Sequence, residues 1–157
     1  MDPISVQHHS HRPKKSINVT ATQINLVQST WEKVVPISDT AAKLFYGKLF
    51  ELDPGLRSLF TSDMAAQGKK LMQAITLAVR GLNDLGKLVP VIQDLGRRHV
   101  DYGVQDKHYE TVGTALIWTL EQGLGPAFTS AVKEAWIEVY TGIATTMQRA
   151  ASETISR

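Results

Sequence analysis

The sequence predicts an all-α fold, and three observations carry that prediction. Apolar residues recur at three- and four-residue steps through most of the chain, the spacing that gathers them on one face of a helix. No segment alternates strictly enough to need a strand, and no internal repeat is visible. The periodic stretches are bounded by helix start and stop signals, from TATQ at 20–23 to GLGP at 123–126. At 157 residues and 43% hydrophobic content, the chain is long enough to bury one core as one domain.

The elements follow in order. Residues 1–18, MDPISVQHHSHRPKKSIN, hold three histidines, two prolines and Arg12, Lys14 and Lys15 with little to bury, and read as a disordered tail ahead of a domain at 19–157. Its HHSH is either a loose metal-binding tract or incidental. Thr20 and Gln23 form a capping box that starts a helix carrying Ile24, Val27, Trp31 and Val34, and Pro36 closes it. Thr40 to Glu51 is the next helix, with Ala42, Phe45, Tyr46, Leu49 and Phe50 on a broad inner face. Pro54 starts a short turn, DPGLRSLF, ending at Phe60. A helix over 63–82 places Leu71, Ile75, Ala78 and Leu82 inward before NDLG breaks it. Leu88, Ile92 and Leu95 lead to His99 along a shorter helix ended by Gly103. Asp106 caps a helix with Tyr109, Val112, Leu116 and Leu120, and Thr129 opens the last, with Val132, Trp136, Val139, Ile143 and Met147 in register.

Composition excludes several classes of function. Without cysteine there is no disulfide framework, thiolate metal site, iron–sulfur cluster or thiol nucleophile. The apolar runs fall far short of the ~20 residues a membrane span needs, and no signal-peptide core is present, so a soluble, cytoplasmic protein is expected. A net charge of +2 with scattered basic residues lacks the footprint of a nucleic-acid binder.

Three polar residues interrupt inward-facing rows. Tyr46 lies one turn before Phe50, Gln67 one turn before Leu71, and His99 extends the row of Leu88, Ile92 and Leu95. Buried polar groups must be hydrogen-bonded or coordinated, so they are either separate core residues satisfied by nearby carbonyls or the walls of one shared polar site. Periodicity leaves both readings open.

From about Thr20 to about Glu153 the sequence resembles a globin. The likeness rests on a tryptophan in the first helix, a proline-started turn ending in Leu59-Phe60, a glutamine seven residues later, then LGRRH and HYETVG. It is most similar to bacterial single-domain globins, including neuroglobin-like and Hell's Gate types, and to the haem domain of flavohaemoglobins. That resemblance implies about seven to eight helices, three over three, around a haem pocket. It implies that His99 binds the iron of haem b, that Phe60 packs on the haem, and that Tyr46 and Gln67, with Leu71, form the ligand side. Lys70 and Arg98 then either pair with haem propionates or belong to a solvated helix face. Flavohaemoglobins back the iron-bound histidine with a tyrosine and a late glutamate. Tyr109, ten residues after His99, and Glu153, seventeen after Trp136, match those places, although Glu153 also fits a solvated charge near a fraying end.

A neutral imidazole is a good iron ligand, and glutamine at 67 is a poor one, so an open ferrous site is expected. The implied function is reversible binding of dioxygen, carbon monoxide and nitric oxide for transport, storage or scavenging. The alternatives are a nitric oxide dioxygenase, or a peroxidase-like activity, needing a separate reductase, and a haem-based sensor. A monomer or weak homodimer is expected. His108, beside Tyr109, is expected to be exposed.

Overall fold

A computed structural model describes residues 17–60 and 63–156, and among them it contains helices and turns but no strand. The expected tail lies outside the described residues except for Ile17, which is buried in the core, and Asn18. Six α-helices follow: α1 (Ala21–Val34), α2 (Ser38–Leu52), α3 (Met64–Arg80), α4 (Leu85–Asp101), α5 (Asp106–Leu124) and α6 (Ser130–Ser156). The all-α prediction holds with fewer helices than the resemblance implied, because the intervening segments, including the one opened by Pro54, close as short 3₁₀ turns.

Start signals explain most boundaries. Thr20 accepts from the Gln23 amide at 3.0 Å while the Gln23 side chain accepts from the Thr20 amide at 3.1 Å, so the capping box forms as read. Pro36 ends α1 but does not open a loop. It sits in a 3₁₀ turn, Val35–Ile37, that runs straight into α2, two residues ahead of the expected start. Helix α4 is longer than expected and begins at Leu85, tolerating Pro90 on its exposed face, where water can serve the carbonyl that proline leaves without a partner. Gln105 rather than Asp106 caps α5, and His108 is buried at 8% exposure instead of exposed. Its ring folds back so that Nδ1 accepts from the Gln105 amide at 2.9 Å, the task a glutamate usually performs at the third helical position. Thr129 caps α6 through a bond from the Val132 amide.

Helices α2, α5 and α6 pack on one another and cover α1, α3 and α4. The middle of the core is tied by two indoles. Trp31 donates to the Thr76 hydroxyl at 2.8 Å and Trp136 to that of Thr30 at 2.9 Å, their rings 5.8 Å apart. Both side chains are sealed from solvent, so their apolar area and their N–H groups are satisfied together. Two glycines set helix crossings that matter for the site. A Cβ at Gly68 would lie 3.0 Å from that of Ala42, so α3 rests directly on α2 one turn before Tyr46. A Cβ at Gly96 would lie 2.6 Å from the Met147 Cα, so α4 meets the backbone of α6 one turn before His99.

Candidate functional site

His99 sits near the end of α4, half-buried, at the foot of the row formed by buried Leu88 and Ile92 and half-buried Leu95. Its Nδ1 lies 2.7 Å from the Leu95 carbonyl oxygen. A carbonyl can only accept, so Nδ1 carries the proton and Nε2 keeps its lone pair. Burial, ahead of a weaker effect of the Arg98 charge, lowers the imidazole pKa against the raising effect of the Leu95 bond, so the neutral form is favoured. The helix stops immediately beyond. Gly103 adopts φ +87°, and the Val104 amide returns 3.0 Å to the His99 carbonyl, which fixes the backbone that carries the ring. The exposed Tyr102 ring stands 5.6 Å from the imidazole.

Tyr46 lies in an aromatic cage. Phe45, Phe60 and Phe50 surround it with ring centroids 5.2, 5.3 and 5.9 Å away. Burial pushes its phenol up to about 12, so at neutral pH it remains an O–H donor. Gln67 is half-buried on α3 beside Gly68, so the close crossing of α2 and α3 puts Tyr46 and Gln67 on the flanks of one helix junction. Phe60 follows the 3₁₀ turn Pro54–Leu59 in extended backbone and is half-buried.

The inward rows differ in how completely they are covered. Val27, Trp31 and Val34 on α1 and Val132, Trp136 and Val139 on α6 are buried. Leu71 and Ile75 on α3, Leu95 on α4, Val112 on α5 and Ile143 on α6 occupy equivalent inward positions but stay half-exposed. Apolar surface left accessible on the inner faces of four helices, with one imidazole lone pair on the same α4 face, suits a flat, mostly apolar group that takes a nitrogen ligand. The residues present therefore fit a haem.

The remaining predicted site residues lie at the edges. Lys70 is exposed, and Arg98 is exposed and clamps Asp94 through Nη2 at 2.6 Å and Nε at 3.0 Å. Tyr109 is half-buried on the first turn of α5, and burial, followed by nearby Asp106, raises its pKa. Glu153 is exposed. The bond expected from behind His99 is made by the Leu95 carbonyl, a backbone group that side-chain spacing does not reveal. Sequence reasoning also missed Tyr140, whose hydroxyl donates 2.6 Å to the Tyr109 carbonyl; the only signal was a large polar ring one residue outside the α6 row. Among the described residues no helix is long and apolar enough to cross a membrane.

Comparison with known proteins agrees with this site. The globin family model matches residues 43–147. Neuroglobins of Danio rerio and Tetraodon nigroviridis are each 30% identical over 138 residues, covering 79% of this chain and 87% of theirs. Among solved structures, an engineered carbene transferase superposes with a TM-score of 0.80 at 25% identity, covering 88% of this chain and 97% of that one. It derives from a Rhodothermus marinus protein described as a nitric oxide dioxygenase. A Campylobacter jejuni globin superposes with a TM-score of 0.77 at 23% identity, covering 88% of this chain and all of that one, and supports the fold.

Proposed function

The chain belongs to the globin family, and from that premise we propose that it binds dioxygen, and likewise carbon monoxide and nitric oxide, reversibly at a five-coordinate haem held by His99. The observation that carries this reading is the His99 tautomer: the Leu95 carbonyl takes the Nδ1 proton and leaves Nε2 to bind a metal. Haem, when bound, supplies the iron at which a diatomic gas is taken up. With no cysteine for a thioether link, the group is haem b. Phe60, Leu71 and Leu95 supply apolar cover, and Lys70 and Arg98 are the cations at hand for its carboxylates.

On the ligand side, the neutral Tyr46 hydroxyl and the Gln67 amide are donors that stabilise a polarised gas molecule. The amide nitrogen of Gln67 has no free lone pair, so it leaves the sixth position to the gas. Reconstitution tests the reading. The haem-loaded wild type should show a five-coordinate ferrous spectrum and bind carbon monoxide, whereas His99→Ala should lose the haem unless free imidazole is added. A wild type that takes up no haem overturns it.

The likeness to the Rhodothermus marinus protein favours a second reading, nitric oxide dioxygenation with a separate reductase as electron donor. Consumption of nitric oxide over many turnovers with an added reductase supports it, and a single turnover that ends with oxidised haem removes it.

A further inference from the structure

Helix α6 touches both helices on the histidine side of the site. Its Met147 backbone lies directly against Gly96 of α4, and Tyr140, about two turns earlier, reaches α5. The Tyr140 hydroxyl donates to the Tyr109 carbonyl at 2.6 Å. In a regular helix that carbonyl also takes the amide of the residue four positions on, which is Gly113. Gly113 is also where the Tyr140 ring rests: a Cβ there would lie 2.8 Å from ring atom Cε2. The glycine thus opens the only approach by which a large phenol on α6 can lie across α5 and still reach a carbonyl one turn back. The bond is half-buried, and burial holds the Tyr140 phenol in its protonated, donating form.

We propose that Tyr140 is a positioning residue for the histidine side of the haem pocket. Its hydroxyl, seated over Gly113, locks the first turn of α5 and thereby sets where Tyr109 stands relative to His99. The inference deepens the haem-binding reading and rests on it. The lock also makes a claim about the chain without haem, because the Tyr109 carbonyl is tied whether or not the pocket is filled.

Tyr140→Phe keeps the ring and removes only the donor, so the full chain is expected to fold. Hydrogen exchange in the haem-free protein should quicken about two- to tenfold at the amides of the first two turns of α5, the effect of one lost hydrogen bond. In the haem-loaded ferrous protein, the iron–histidine stretching band should shift or broaden. That change should disappear when Tyr140→Phe is made in a Tyr109→Phe background, because the effect passes through Tyr109. Unchanged exchange in α5 overturns the lock. A lower melting temperature with an unchanged stretching band overturns the positioning role and leaves Tyr140 as packing only. Failure of the wild type to bind haem at all defeats the haem reading instead, and the exchange measurement still decides the lock.

Discussion

Tyr46 joins two consequences of burial in one side chain. Its neutral phenol is favoured in the folded state, with a pKa moved from 10.0 to about 12. The sign is that of a raised acid: between those values the unfolded chain has already lost a proton that the folded chain keeps. Stability is therefore intact below pH 10 and falls as pH rises toward about 12, by at most about 2 to 3 kcal/mol. Denaturant unfolding across that range should show a smaller loss in Tyr46→Phe, with the remainder carried in part by Tyr140, whose phenol is raised in the same direction. The second consequence concerns the gas. Removing one donor of ~1 to 1.5 kcal/mol should speed dioxygen release roughly five- to tenfold in Tyr46→Phe, with Gln67→Leu acting in the same direction and association changing less. Stopped-flow release rates check this, and wild-type rates in both variants would remove the pair from the ligand space. Both residues were legible in the sequence as polar interruptions of apolar rows. The cage around Tyr46 was not, since Phe60 comes from a separate turn whose approach to α2 only the fold reveals.

At the scale of the helix, two glycines make opposite predictions. Gly47 on α2 has nothing within 4 Å of where a Cβ would be, so Gly47→Ala should stabilise the protein by about 0.5 to 1 kcal/mol through helix propensity. Gly96→Ala places a methyl against the Met147 backbone, which cannot rotate aside. It should cost about 1 to 3 kcal/mol and also accelerate haem loss, because His99 is one turn away on the same helix. Thermal unfolding of the two variants, with haem transfer to an excess of scavenging protein, separates the effects. Helix identity was readable from periodicity, and helix ends were readable where side chains announce them, as at Thr20, Gly103 and Thr129. They were misread where a less common residue takes the task. His108 caps α5 in place of a glutamate, and Pro90 lies inside α4 at a position where its missing donor costs little.

For the molecule as a whole, the sequence supplied inward rows but not which row faces which. The half-exposed stretch of the core, the crossing at Gly68 and the Leu95 carbonyl beside His99 emerge only from assembly. That carbonyl bears on the choice between binding and turnover. A neutral acceptor pushes less electron density through an imidazole than a carboxylate does, which favours reversible binding over redox chemistry. Because Glu153 is exposed, Glu153→Gln should leave both the iron–histidine stretch and dioxygen affinity at wild-type values. A shift in the stretch would show that the carboxylate reaches the ring and would strengthen the dioxygenase reading. The seat of Gly96 on the Met147 backbone has a mechanical consequence as well. With no side chain between the helices to deform, the contact acts as a pivot for α4. His99 lies about 4.5 Å beyond that pivot along the axis, and Leu85 about 16 Å on the other side, at 1.5 Å per residue. A rod hinged there turns a small swing of the imidazole into an opposite surface movement some three to four times larger, and a spin label at exposed Val91 should register gas binding more strongly than one at Arg97.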